Sequence, residues 1–181
     1  TWRLAKMNLA IRGIDAQIAW NNEGSFLNNA HKDLKADFVI ANPPFSLKNW
    51  GYERAQSDSF KRFRFGVPPQ GYADYAFVQH MIASAHPTGK VGVVLPHGAL
   101  FRGGAEGKIR KGIIEEDLIE AVVGLPSKLF YGAGIPACLM ILNKKKTKER
   151  QGKIFFIYGT NDFEEGKKQN KLRPEDIDKV V

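Results

Sequence analysis

The chain has 181 residues, 43% of them hydrophobic, and its 27 basic and 19 acidic side chains give a net charge of +8. This length and composition suit one domain with a substantial core and exclude the intrinsically disordered class. The single cysteine, Cys138, excludes a disulfide framework and a cysteine-based metal site, and we interpret it as a small core residue. A lone cysteine also suits the reducing cytoplasm, which is the expected location.

Helical and strand patterns alternate along the chain. Strands are predicted at 16–20, 36–42, 90–96, 118–126, 136–144 and 153–159, and helices at 1–12, 72–86, 104–117 and 174–181. Strands separated by helices of this length indicate an α/β fold with a largely parallel sheet. No run is apolar enough to span a membrane. In such a sheet, the functional crevice lies beyond the carboxyl ends of the strands.

Positive charge is concentrated in residues 44–72 and 143–181. The first segment interleaves its bases with Phe60, Phe63 and Phe65, a pattern suited to a nucleic-acid backbone. A solvated loop with ordinary surface lysines explains the same pattern, so charge alone leaves both interpretations open.

Two glycine-containing stretches look like nucleotide-binding motifs, but their neighbouring residues exclude that function. "GGAEGKI" at 103–109 is too short for a phosphate loop and carries Ile109 where Ser or Thr is required, while "GAGIPA" at 132–137 precedes a strand instead of opening a helix. The four histidines lack the spacing of metal ligands. We therefore expect no metal site. These histidines are His31, His80, His86 and His97.

The stretch "DFVIANPPFSL" at 37–47 ends a β-branched run at two prolines. Prolines cannot donate to a sheet ladder, so the strand must end near Asn42. An Asn side-chain oxygen and a backbone carbonyl from a rigid Pro-Pro turn suit the two N–H bonds of a conjugated amine, and an adjacent Phe offers a stacking face. Taken alone, the tetrapeptide is more often a helix cap or a simple turn after a buried strand.

Longer stretches resemble a known family. "ADFVIANPPFS", "GYADYAFVQHMI", the segment from "GKVGVVLPHGALFRGG" to "GIPACLMILNK", and "RPEDIDKVV" resemble the modification subunit of type I restriction-modification systems. The resemblance runs over residues 1–181 and implies a DNA adenine-N6 methyltransferase that uses S-adenosylmethionine. It implies a Rossmann-like methyltransferase fold with a mostly parallel sheet, incomplete at its N-terminal side. Residues 1–143 are expected to form the core of the fold, and 144–181 a basic linker, an edge strand and the start of a further helix.

The resemblance also assigns the residues of the motif. It implies that Asn42 and the carbonyl of Pro43 bind the target amino group, that Pro44 holds the turn, and that Phe45 stacks on a flipped-out adenine. Base flipping is required because N6 inside a duplex cannot meet a bound methyl donor. Transfer from sulfur to nitrogen is then direct, without a covalent enzyme intermediate.

Cofactor residues are expected in "NNEGSF", where Glu23, Gly24, Ser25 and Phe26 match a cofactor-facing loop of the family. Relatives in the wider methyltransferase class place an Asp in this loop, whereas Glu23 or Gly24 stands here. The family's glycine-rich cofactor loop lies upstream of the matched residues. We therefore expect residues 1–181 to be a fragment that is inactive on its own.

The expected partners are DNA, a specificity subunit and a restriction subunit, with no membrane. Two alternatives stay open: methylation of a protein glutamine amide, where Asn-Pro-Pro-aromatic also occurs, and an inactive fragment that docks to DNA or to a partner. The pattern leaves Asp74 as a first-turn acid or cap, or as a neighbour of the cofactor. Residues 96–102 are predicted to line the cleft, and 130–136 either flank the target pocket or serve a structural role.

Overall fold

One open sheet forms the centre of the computed structural model, which describes residues 2–24, 26–130 and 134–181. Its strands in these residues are β1 (Ala36–Ala41), β2 (Ala85–Pro96), β3 (Ile119–Gly124), β4 (Ala137–Asn143) and β5 (Phe155–Tyr158). The strands lie in the order β1-β2-β4-β3-β5. β1 pairs parallel with β2, and β3 with β5, whereas β4 runs antiparallel to both of its neighbours. All of these strands except β4 therefore point the same way, which confirms the predicted α/β fold with a mostly parallel sheet.

The helices in the described residues are α1 (Trp2–Ile11), α2 (Tyr52–Ala55), α3 (Asp74–Ser84), α4 (Gly98–Phe101), α5 (Gly104–Glu115) and α6 (Pro174–Asp178), with a 3-10 turn at Lys148–Arg150. The four helices α1, α3, α5 and α6 were predicted from the sequence, whereas the short helices α2 and α4 were not. The part of the chain that the structure describes contains no helix long and apolar enough to cross a membrane.

One predicted strand was wrong. Residues 16–20 have no regular structure, and Trp20 in this stretch is largely exposed. The carbonyl of Ile18 accepts the indole N–H of Trp2 at 2.9 Å, so this segment is tied to α1 through a side chain. Apolar alternation over five residues does not make a strand when its backbone groups find no neighbouring strand.

The main core lies between the sheet and the helices α3 and α5. Tyr75 and Val78 from α3, and Ile109 and Ile113 from α5, are fully buried against β2 and β4. Cys138 of β4 belongs to the same cluster, and burial raises the pKa of its thiol to about 11. The interpretation of this cysteine as a core residue is therefore confirmed.

The sheet is open on the β1 side. β1 pairs with β2 along one edge, and its side chains Phe38 and Ile40 are 71% and 83% exposed. Among the described residues, β1 is therefore an edge strand of a sheet that does not close on itself.

A second, aromatic cluster positions the loops that flank β1. Phe26 packs edge to face against Phe77 and Trp50, with ring centroids 4.8 and 5.8 Å apart. The buried guanidinium of Arg62 pairs with Asp58 at 2.8 Å and donates to the carbonyl of Phe26. This cluster therefore joins residues 21–28 to the segment that follows β1.

His80 of α3 lies beside this cluster, with Nδ1 3.1 Å from a guanidinium nitrogen of Arg62. Burial, together with the positive charge of Arg62, lowers the pKa of His80 to about 4, although Asp58 opposes the shift. The unfolded chain, with a histidine pKa of about 6.5, takes up this proton earlier as the pH falls. The folded protein should therefore lose stability between pH 6.5 and about 4, by up to roughly 3 kcal/mol from this group.

Thermal melting between pH 7 and 4.5 tests this prediction. His80→Gln should flatten the decrease in melting temperature on acidification, because the substituted side chain does not titrate. His86→Gln, at an exposed position, is the matched control and should keep the wild-type slope. Equal slopes for the wild type and His80→Gln would contradict the prediction.

Candidate functional site

The Asn-Pro-Pro-Phe motif lies where β1 ends. Asn42 directly follows the last residue of β1, and β1 and β2 run parallel, so the carboxyl ends of both strands lie at the same edge of the sheet. Asn42 and Pro44 are exposed, Pro43 is buried and Phe45 is half-buried. Asn42 is therefore accessible at this edge of the sheet, and the buried Pro43 anchors the turn.

The turn after Phe45 is fixed to the start of α3. Ser46 has φ of 51°, a left-handed conformation that costs a residue with a side chain about 1–2 kcal/mol. Its N–H donates to Oδ1 of Asp74 at 2.9 Å, and the carbonyl of Leu47 accepts the N–H of Ala73 at 3.2 Å. We name residues 42–47 the target loop; these two bonds hold its second half.

Asp74 is the first residue of α3 and 1% exposed. As a first-turn acid it matches one of the sequence interpretations, although its side chain does not cap its own helix. Its second oxygen forms an ion pair with Arg102, which also bonds to both oxygens of Glu106. The bonds to Glu106, with the charge of Asp74, raise the pKa of Arg102.

The sequence motifs did not reveal this network. Tyr72 completes it, because the Arg102 guanidinium lies 4.4 Å from the centroid of its ring. The one sequence signal available was the spacing of Arg102 and Glu106, four residues apart across the start of a predicted helix. Asp74 and Arg102 lie 28 residues apart, and no local pattern links them.

A second aromatic side chain faces the target loop. The rings of Phe45 and Phe130 meet edge to face, with centroids 6.3 Å apart and an interplanar angle of 87°. Phe130 belongs to the segment predicted to flank the target pocket; Tyr131, Gly132 and Ala133 of that segment lie outside the described residues.

His97 joins the ends of two strands beside this crevice. Its backbone N–H donates to the carbonyl of Pro136 at 3.3 Å, and its side-chain Nε2 lies 3.0 Å from the carbonyl oxygen of Ala137. These contacts fasten the end of β2 to the start of β4, so we assign His97 a structural role.

Three of the four predicted cofactor residues line a cavity of about 360 Å³. Glu23, Gly24 and Phe26 line it together with Leu47 of the target loop, while Ser25 lies outside the described residues. Asn21 Oδ1 accepts the N–H groups of Glu23 and Gly24, and Gly24 has φ of 79°, which favours glycine.

The cavity suits one end of S-adenosylmethionine. Trp50 and Phe77 complete its apolar wall, which fits an adenine ring. The carboxylate of Glu23 suits the hydroxyl groups of a ribose or an exocyclic amine, although it also pairs with Arg54 at 3.1 Å. The chemistry of these residues therefore fits the nucleoside half of the cofactor.

Comparison with known proteins gives a consistent result. The family model described as N-6 DNA Methylase matches residues 1–181. The chain is 44% identical over 158 residues to the type I restriction enzyme HindI methylase subunit of Haemophilus influenzae, covering 87% of this chain and 35% of that protein. It is also 44% identical over 188 residues to the MjaVII methylase subunit of Methanocaldococcus jannaschii, covering 98% of this chain and 32% of that protein.

The fold agrees with these relatives. The crystal structure of a type I restriction-modification methyltransferase subunit from Streptococcus thermophilus matches with a TM-score of 0.87 and 34% identity, over 99% of this chain and 38% of that chain. The chain thus spans about a third of the length of the curated relatives. It belongs to the N-6 DNA methylase family.

Proposed function

We propose that this chain is part of a DNA adenine-N6 methyltransferase, the modification subunit of a type I restriction-modification complex. The observation that carries the proposal is the target loop, which presents Asn42 at the carboxyl end of β1, three residues before Phe45, whose ring meets that of Phe130 edge to face. The family match over residues 1–181 supports DNA methylation rather than methylation of a protein glutamine amide.

Adenine N6 is a poor nucleophile because its lone pair is delocalised into the ring. In the proposed mechanism, the side-chain oxygen of Asn42 and the carbonyl oxygen of Pro43 accept its two N–H bonds. This favours a pyramidal nitrogen whose lone pair is no longer delocalised into the ring and is free to attack. The preorganised acceptors also stabilise the positive charge that develops on the nitrogen. Pro43 and Pro44 have no N–H of their own, so neither adds a competing donor.

The aromatic rings hold the flipped base. Phe45 offers a stacking face, and Phe130, almost perpendicular to it, borders the same space. When bound, S-adenosylmethionine would supply an electrophilic methyl group to N6 and leave as a neutral thioether, and the proton released from N6 would pass to solvent. Glu23, Gly24 and Phe26 would hold its nucleoside half.

The proposed partners follow from the same assignment. The similar proteins are named as subunits of type I restriction enzymes, so we propose that the full protein acts with a specificity subunit, which reads the DNA sequence, and with a restriction subunit.

Asn42→Ala should strongly reduce the rate of methyl transfer. Loss of one preorganised acceptor should reduce kcat by about 10² to 10³-fold while leaving cofactor affinity unchanged. The measurement is labelled methyl transfer to DNA by the full-length protein with its specificity partner, and mass spectrometry identifies the modified base. Asn161→Ala, at an exposed turn position, is the control. Full activity of Asn42→Ala, or a product other than 6-methyladenine, would overturn the assignment.

Phe45→Leu should weaken capture of the flipped base. Stacking of one base contributes about 1–3 kcal/mol, so affinity for DNA with an extruded target should fall roughly 5- to 150-fold. Fluorescence of 2-aminopurine at the target position reports extrusion directly. Phe156→Leu, at a position on β5 that is 77% exposed, should leave the signal unchanged. Wild-type fluorescence for Phe45→Leu would remove the stacking role from this ring.

A further inference from the structure

A buried carboxylate controls the backbone directly after Phe45. Asp74 uses one oxygen to accept the N–H of Ser46 at 2.9 Å and the other to accept the guanidinium of Arg102. The bond from Ser46 is charge-assisted, which makes it stronger than an ordinary backbone hydrogen bond. It restrains the one residue of the target loop that has a left-handed backbone.

Arg102 is itself held from three sides. Glu106 pairs with it from the first turn of α5, and the Tyr72 ring lies against its guanidinium at 4.4 Å. Gly98 bounds the third side, where a β-carbon would collide with the guanidinium. The carboxylate of Asp74 therefore meets a cation with a fixed position.

We propose that Asp74, oriented by Arg102, is a positioning residue that sets the target loop for methyl transfer. The inference rests on the proposed function, because it is the placement of Asn42 and Pro43 that gives this loop its importance. A reacting group displaced by about 1 Å can lose up to roughly 10²-fold in rate. Ser46 lies four residues from Asn42, so the restraint acts within the loop itself.

Asp74→Asn is the isosteric test. Both neighbours of Asp74 are donors, and an asparagine offers one acceptor oxygen where the carboxylate offers two. In one orientation the amide NH₂ meets the N–H of Ser46, and in the other it meets the guanidinium of Arg102. In either case one of these two donors loses its acceptor. In the full-length protein with its specificity partner, we expect kcat to fall about 10- to 100-fold with the KM for S-adenosylmethionine unchanged.

Gly98→Ala reaches the same network without removing a charge. The new methyl group must displace the Arg102 guanidinium, so we expect a decrease in kcat of about 3- to 30-fold, again without a change in the cofactor KM. Asp117→Asn is the matched control, because Asp117 pairs with the buried Lys146 at 2.6 Å in the turn after α5. It should lower the melting temperature but keep the wild-type kcat.

Hydrogen exchange of peptides covering residues 42–50, measured without DNA, provides a second readout. Asp74→Asn and Gly98→Ala should accelerate exchange there, and Asp117→Asn should not. If both variants keep kcat within twofold of wild type, the proposal is overturned. It is also overturned if the decrease in kcat comes with faster exchange throughout the protein.

The wild-type protein separates this inference from the proposed function. If it transfers no methyl group to adenine, the proposed function fails, and the exchange of residues 42–50 alone then decides whether Asp74 and Arg102 restrain the loop. If it methylates adenine, the kcat values of Asp74→Asn and Gly98→Ala decide whether Asp74 positions the target loop for methyl transfer.

Discussion

The ion pair between Asp74 and Arg102 is the interaction on which the site geometry depends. It joins three parts of the chain: the target loop, the start of α3, and the connection between α4 and α5. Breaking a buried pair by removing one partner costs about 3–5 kcal/mol, since an uncompensated charge stays behind. The prolines of the motif restrict their own φ angles, but they do not determine the backbone beyond Phe45. The conformation of the target loop is therefore a property of the tertiary structure.

The sequence was sufficient for most of the fold and for the position of the motif. β-branched residues of β1 and the two prolines after it place Asn42 at a strand end, and the periodicities of α3 and α5 mark helices that the structure contains. The partners of Asp74 were not predictable, because a carboxylate at the start of a helix looks the same in the sequence whether it faces water or a distant guanidinium. Only the burial of Asp74 distinguishes these cases.

The basic segment at residues 44–72 also shows how little composition alone reveals. Its alternation of bases and phenylalanines fits a nucleic-acid surface, yet Arg62 is buried in an ion pair with Asp58 and lies 4.9 Å from the Phe60 ring. Arg64 pairs with Glu116 and stacks on Phe65 at 4.4 Å. Cation–π contact explains the interleaving of these residues without DNA. The number of basic side chains in residues 44–72 therefore overstates the positive charge that this segment presents to a ligand.

The reversed direction of β4 explains how Phe130 reaches the crevice. β4 lies antiparallel to β2, and Ala137 at its start pairs with Pro96 at the end of β2. The segment before β4 is thereby brought to the edge of the sheet where β1 ends and Asn42 begins the target loop. β3 also ends at this edge, because it runs in the same direction as β2. Phe130 therefore lies between the end of one strand and the start of the next, both at the edge of the sheet that carries Asn42, and this is how the crevice acquires its second aromatic wall.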